Sequence, residues 1–193
     1  MKKLQGALRD TADGHTGDNS VLSGNGAIAL GAIAAGLDGY FAYSMTPASS
    51  ILHYYAAHHR ELGIVTVHPE GEVGVANMAV GSAFAGARTM LGTSGGGFAL
   101  MEEALSLAGM CEVPLLCVMS SRPGPSTGVP TYTEQADLEF ALHQGHGEFP
   151  RVVASPGTIE EAFHLAGELH DGWNPVTERR SREDRLKAVK DLL

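Results

Sequence analysis

The 193-residue sequence is poor in aromatic residues, cysteines and basic charge. Aromatics make up 6% of the chain, and the two cysteines are Cys111 and Cys117. The formal net charge of −9 argues against a nucleic-acid partner, because surfaces that bind nucleic acids are basic. Two thiols alone cannot ligate an iron–sulfur cluster, since such clusters take four ligands. We expect both thiols to be buried and reduced, in a cytoplasmic protein.

Long apolar runs are also missing. No stretch of about 18 or more apolar residues occurs, so we expect no transmembrane helix and no membrane partner. The N-terminus lacks the apolar core of a signal peptide. His53, His58 and His59 share one predicted helix, but their spacing does not place two imidazoles on one face. We therefore expect no metal site in this chain.

Glycine is abundant, with 25 residues, and short apolar runs alternate with helical segments. The runs predict strands over residues 40–43, 64–67, 89–93, 114–119 and 151–154. This alternation predicts an α/β fold: a single three-layer domain with a mainly parallel sheet of about five to six strands flanked by helices. We place this domain at residues 21–172, after a flexible arm (1–20) and before a charged, helical tail (173–193).

The most informative stretch follows the second predicted strand. It contains two acids, Glu70 and Glu72, and then a helix of small residues over 71–86. Each glycine inside a helix costs about 1 kcal/mol relative to alanine, and close approach of another backbone is one way to offset that cost. We expect pairing with another chain through this helix, at Ala79 and Ala83. Glu72 falls in the first turn, where the helix dipole favours a carboxylate, so the residues alone also fit a helix-start acid.

Two further strands end in segments with functional potential. Ser94 and three glycines follow the third strand, and this layout offers backbone N–H groups to an anion; a tight turn with positive φ is the alternative. The fourth strand leads into a long loop, residues 120–133, whose only basic residue is Arg122. Ligands of α/β sheets bind where strands end, although a lone loop arginine is usually solvated.

Several of these motifs occur together and in order in one known family. The stretch PEGEVGVANMAVGSAFAGAR resembles the pyrimidine-binding domain of the alpha subunits of 2-oxoacid:ferredoxin oxidoreductases, which depend on thiamine diphosphate. It is most similar to the 2-oxoglutarate and branched-chain 2-oxoacid type. Further matching segments are residues 24–36, 43–47, 93–98, 122–128 and 145–150. The resemblance covers roughly residues 21–170.

The resemblance implies a component of an enzyme that oxidatively decarboxylates a 2-oxoacid to an acyl-CoA. It implies that Glu72 is the glutamate that activates the pyrimidine ring of thiamine diphosphate, whereas Glu70 matches a non-catalytic residue. Thr46 and Arg122 match substrate-binding residues, and the planar guanidinium suits a carboxylate. The cofactor-binding residues that it implies are Tyr43, Pro47, Glu72, Thr93, Ser94 and Gly95.

The resemblance also implies a partner. The sequence contains no G-D-G motif followed by paired asparagines, which in the family holds magnesium and the cofactor's diphosphate and belongs to a beta subunit. We therefore expect an oligomer in which a beta subunit supplies that site and any iron–sulfur cluster. Coenzyme A and ferredoxin would act at the level of this complex, and the chain alone would be inactive.

Four departures from the family pattern concern loops. Ser44 and Gly96 stand where the family usually has proline, Ala48 where it has serine, and Gly26 where it has glutamate. The family alpha chain also continues into further domains. The alternative is therefore a truncated, non-catalytic assembly or regulatory module derived from that subunit.

Overall fold

The computed structural model describes residues 22–134 and 137–171. The predicted arm and tail lie outside the described residues. The chain divides into two compact units, one formed by Leu37–Ser155 and one that combines residues 22–36 with residues 156–171. None of the described helices has the length and apolar character that a membrane crossing requires.

The larger unit is built on a four-stranded parallel sheet. Its strands are β1 (Gly39–Ala42), β2 (Val65–Val67), β3 (Thr89–Thr93) and β4 (Leu116–Met119), in the order β2-β1-β3-β4. The described helices in chain order are α1 (Gly24–Ala34), α2 (Ser49–Leu62), α3 (Glu72–Phe84), α4 (Gly95–Met110), α5 (Leu138–His143) and α6 (Ile159–Asp171). A parallel sheet with a helix after each of the first three strands confirms the predicted fold class.

Side chains from the two faces of the sheet meet different helices, because alternate residues of a strand point to opposite faces. Tyr40 packs on Tyr55 of α2, with ring centroids 4.7 Å apart. The neighbouring residue Phe41 joins the opposite core with Val75 of α3 and Met101 of α4. The core on each face of the sheet is therefore built mainly from apolar side chains.

The smaller unit is a helix pair. Ser23 caps α1, where its hydroxyl accepts a hydrogen bond from the Gly26 N–H at 3.1 Å. At Gly31 an added Cβ would overlap the backbone carbonyl of Phe163 on α6 and would lie 3.2 Å from Ala166. Glycine at this position is what allows the two helices to approach so closely.

One predicted strand is wrong. Residues 151–154 form no strand; the Arg151 guanidinium instead donates to the Gln144 carbonyl and lies 4.3 Å from the Phe149 ring centroid. Side-chain contacts, rather than hydrogen bonds to a neighbouring strand, therefore hold this segment. α2 begins at Ser49, and the Thr46–Pro47 peptide bond before it is cis.

One prediction about burial is also wrong, since Cys111 is exposed. Cys117 is partly exposed as a residue, but it packs against the core and its thiol is enclosed. Ala79 and Ala83 of α3 are buried against the chain's own core. Pairing with another chain through α3 stays a prediction, and the side chains that this helix exposes are Val73, Asn77, Met78 and Phe84.

Candidate functional site

All four strands end at one edge of the sheet, because all four are parallel. β1 connects to β2 on one side of the sheet, and β3 connects to β4 on the other, so the strand order reverses between β1 and β3. In open α/β sheets this reversal opens a crevice at the carboxyl ends of the strands, where ligands bind. The residues that follow β1, β2, β3 and β4 therefore define the candidate site.

Glu72 begins α3 at this edge and is 6% exposed. Its Oε1 has no hydrogen-bond partner among the described residues. The side chain lies against Gly97, where an added Cβ would be 2.9 Å from the Glu72 Cγ and 3.0 Å from Oε1. A buried carboxylate without a partner is costly, so this atom calls for a donor that the described chain does not supply.

The end of β3 contributes two buried hydroxyls. Thr93 donates to the Ser94 carbonyl at 3.3 Å. The Ser94 hydroxyl has no partner in the described part of the chain and makes no cap bond to α4. The expected glycine-rich turn is the first turn of α4, which begins at Gly95; none of its three glycines has positive φ, so the tight-turn alternative is wrong.

Arg122 is buried, at 7% exposure, and joins two loops. Its Nη1 donates to the Thr46 carbonyl at 2.8 Å, which ties the loop after β4 to the loop after β1. Its Nε makes no hydrogen bond to any described residue. The alternative of a solvated loop arginine is therefore wrong, and the guanidinium retains an unused donor inside the site. Thr46 itself contributes its carbonyl, while its side chain is exposed.

Tyr43 and Pro47 share the loop after β1 with Thr46. Tyr43 is 38% exposed, and its ring lies 5.6 Å from the His68 ring, centroid to centroid. His68 follows β2, and its Nε2 accepts a hydrogen bond from the Ser44 N–H at 3.3 Å. This contact holds the β1 loop from the opposite side to Arg122. The structure thus brings all the residues expected at the site to one edge of the sheet.

Sequence reasoning missed three residues of this edge. His68 and Ser121 each follow a strand, and that position alone could have drawn attention to them. Asp137 had no such signal, since it precedes a short helix far along the chain. Its Oδ2 accepts a hydrogen bond from the Ser121 hydroxyl at 3.0 Å, and its carboxylate lies against Gly95.

The edge contains acids and histidines, but they are not arranged as metal ligands. Across residues 22–134 and 137–171, no group of three or more His, Cys, Asp or Glu side chains is placed to hold a metal ion. A parallel sheet whose crevice contains an unpartnered carboxylate, a buried guanidinium and a glycine-lined helix start defines a ligand-binding α/β domain.

The family follows from comparison with known proteins. The family model described as pyruvate flavodoxin/ferredoxin oxidoreductase, thiamine diphosphate-binding, matches residues 30–171. The chain belongs to this family, which confirms the resemblance seen in the sequence.

Relatives agree with this assignment. The chain is 46% identical over 155 residues to a 2-oxoacid:ferredoxin oxidoreductase subunit alpha of Saccharolobus solfataricus, and the match covers 74% of the chain and 24% of that protein. It is 36% identical over 148 residues to the 2-oxoglutarate synthase subunit KorA of Archaeoglobus fulgidus, covering 77% of the chain and 43% of that protein. These relatives are thus much longer than the region they share with this chain.

A solved structure shares the fold. The 2-oxoglutarate:ferredoxin oxidoreductase from Magnetococcus marinus, solved with 2-oxoglutarate, coenzyme A and succinyl-CoA bound, matches with a TM-score of 0.74 and 40% identity. The match covers 77% of this chain and 26% of that one.

Proposed function

We propose that residues 21–172 form the pyrimidine-binding domain of a thiamine diphosphate-dependent 2-oxoacid:ferredoxin oxidoreductase. This enzyme would oxidatively decarboxylate a 2-oxoacid to an acyl-CoA, and this chain would be part of its alpha subunit. The observation that carries the proposal is the buried Glu72 carboxylate, whose Oε1 has no partner in the described residues. Family membership supports the same role.

The residues at the edge fit an aminopyrimidine ring. Such a ring presents a basic nitrogen and an amino group, which can pair with the Glu72 carboxyl and the unpartnered Ser94 hydroxyl. Tyr43, Pro47, Thr93 and Gly95 would line the same site. When bound, thiamine diphosphate supplies an electron sink for decarboxylation of a 2-oxoacid.

In this proposal Glu72 holds a proton at Oε1 and shares it with the ring nitrogen. A carboxyl group suits this task because it can hold or release a proton within a dry site. Its burial excludes water that would compete for the same hydrogen bond. Glu70 is exposed in the preceding loop and takes no part.

Arg122 would bind the carboxylate of the 2-oxoacid. The bond from Nη1 to the Thr46 carbonyl fixes the guanidinium plane, and the Nε donor stays available. A planar guanidinium offers a carboxylate two parallel hydrogen bonds. Thr46 would contact the substrate from the same loop.

The relatives named as alpha subunits imply a partner subunit. We propose that it is a beta subunit that provides the magnesium–diphosphate site and any iron–sulfur cluster, while coenzyme A and ferredoxin act on the complex. Large apolar side chains stand exposed on α3 and α4 and would be covered in such an assembly: Val73, Met78, Phe84, Leu100 and Met110. The two free cysteines fit a reducing, cytoplasmic location.

Purification of the tagged chain from its native source tests this function. We expect a beta subunit to accompany it, and the complex to reduce methyl viologen only when a 2-oxoacid, coenzyme A and thiamine diphosphate are all present. A stable complex that fails with every 2-oxoacid tried would contradict the enzymatic role and support a non-catalytic module.

A further inference from the structure

The start of α4 lacks a negative group of its own. The helix begins with glycines, has no acidic residue in its first turn, and receives no cap bond from Ser94. The first N–H groups of a helix have no acceptor within the helix and form the positive end of its dipole. An acceptor from elsewhere in the chain is therefore favoured at this position.

Asp137 brings a carboxylate to that position from beyond the long loop. A Cβ added to Gly95 would lie 2.8 Å from the Asp137 carboxyl carbon and 3.0 Å from its Oδ2. The same Oδ2 accepts the hydrogen bond from Ser121. One carboxylate thus contacts both the start of α4 and the start of the loop after β4.

The loop fixed in this way carries Arg122, the residue after Ser121. The Ser120 N–H donates to the Thr93 carbonyl at 3.0 Å, and the Ser126 carbonyl lies 3.4 Å from a Cβ added to Gly96. The loop therefore lies directly on the first turn of α4. Ser121, whose hydroxyl donates to Asp137, is the residue immediately before Arg122.

We propose that Asp137 is a positioning residue for Arg122. Without its carboxylate, Ser121 loses its acceptor and the loop loses this side-chain attachment beside α4, so the guanidinium is held toward the site by the Thr46 contact alone. The same geometry places a carboxylate of the chain itself beside this helix start. The substrate-binding consequence rests on the proposed function, whereas the attachment of the loop does not.

Hydrogen–deuterium exchange of the purified full chain tests the attachment. In Asp137→Ala we expect the amides of residues 94–98 and 120–134 to exchange at least about tenfold faster, because a hydrogen bond to a charged group is lost. Ser121→Ala removes the donor of the same hydrogen bond and should speed exchange in the same two regions by a smaller factor. Asp137→Asn keeps an acceptor oxygen and should be intermediate. The matched control is Glu139→Gln, an exposed acid of the same short helix that pairs with His143.

Substrate saturation in the assembled complex tests whether Asp137 positions Arg122 for substrate binding. Asp137→Ala should raise the KM for the 2-oxoacid about tenfold and change kcat less, since the reacting groups stay in place. Wild-type exchange in both Asp137→Ala and Ser121→Ala would overturn the attachment. Faster exchange with an unchanged KM would overturn the positioning of Arg122. If the wild-type complex uses no 2-oxoacid, the proposed function fails and exchange alone decides whether Asp137 holds the loop.

Discussion

Two helices start side by side at the carboxyl edge of the sheet, and each has a buried or half-buried carboxylate next to it. α3 begins with its own acid, Glu72, whose Oε1 is left without a partner in the described chain. α4 has no acid in its first turn, and its carboxylate comes from Asp137 and is hydrogen-bonded by Ser121. An unpartnered acid is available for a ligand, whereas a paired one stabilises a loop.

The largest expected effect tests the unpartnered acid. Glu72→Gln is nearly isosteric but cannot hold and release a proton, so turnover of the complex should fall about 10² to 10⁴-fold. Folding and assembly should be preserved. Glu70→Gln, which changes the exposed acid two residues earlier, should leave turnover near wild type. Steady-state viologen reduction measures both variants, and equal losses in the two would remove the distinction between them.

A smaller effect concerns the guanidinium that joins the two loops. Arg122→Ala should raise the KM for the 2-oxoacid about 10- to 100-fold, because a charge-assisted contact is lost. Arg122→Lys should restore only part of it, since an ammonium cannot make two parallel bonds. Saturation curves for the three proteins decide this. Identical curves for wild type and Arg122→Ala would exclude a role in substrate binding.

The close contact between Glu72 and α4 predicts an effect on stability. Gly97→Ala places a Cβ against the Thr93 hydroxyl and the Glu72 side chain and should lower the free energy of unfolding by about 1–3 kcal/mol. The matched variant is Gly81→Ala on the exposed side of α3, where nothing lies within 4 Å of the new Cβ. It should raise stability by up to about 1 kcal/mol. Urea denaturation of both proteins would show whether the two glycines differ.

The enclosed thiol of Cys117 in β4 predicts that the stability of the fold depends on pH. Burial of the Cys117 thiol raises its pKa to about 12 from 9.0. The folded state therefore holds a proton that the unfolded state loses above pH 9, so this contribution is complete below pH 9 and declines as pH rises toward 12. This thiol alone should lower the free energy of unfolding by about 1.4 kcal/mol by pH 10. Cys117→Ala should flatten this slope and Cys111→Ala should not, as denaturation at pH 8 and pH 10 can show.

The sequence predicted those features whose cause is local. The strand at residues 89–93 and the helix start near Glu72 follow from apolar runs and nearby polar residues, whereas the roles of the site residues rest on the family resemblance. Residues 151–154 also have an apolar run, but the contacts of Arg151 with Gln144 and Phe149 decide their structure. Asp137 could not be predicted, because its partners Gly95 and Ser121 lie far away in sequence.

In the function that we propose, Glu72 exchanges a proton with the pyrimidine ring of bound thiamine diphosphate. The most direct measurement is proton–deuterium exchange at the cofactor's reactive carbon in the complex assembled with the beta subunit, followed by NMR after acid quench. We predict that Glu72→Gln slows this exchange by at least about 10²-fold while Glu70→Gln leaves it unchanged. Exchange in Glu72→Gln as fast as in wild type would contradict the account and favour a non-catalytic role for this chain.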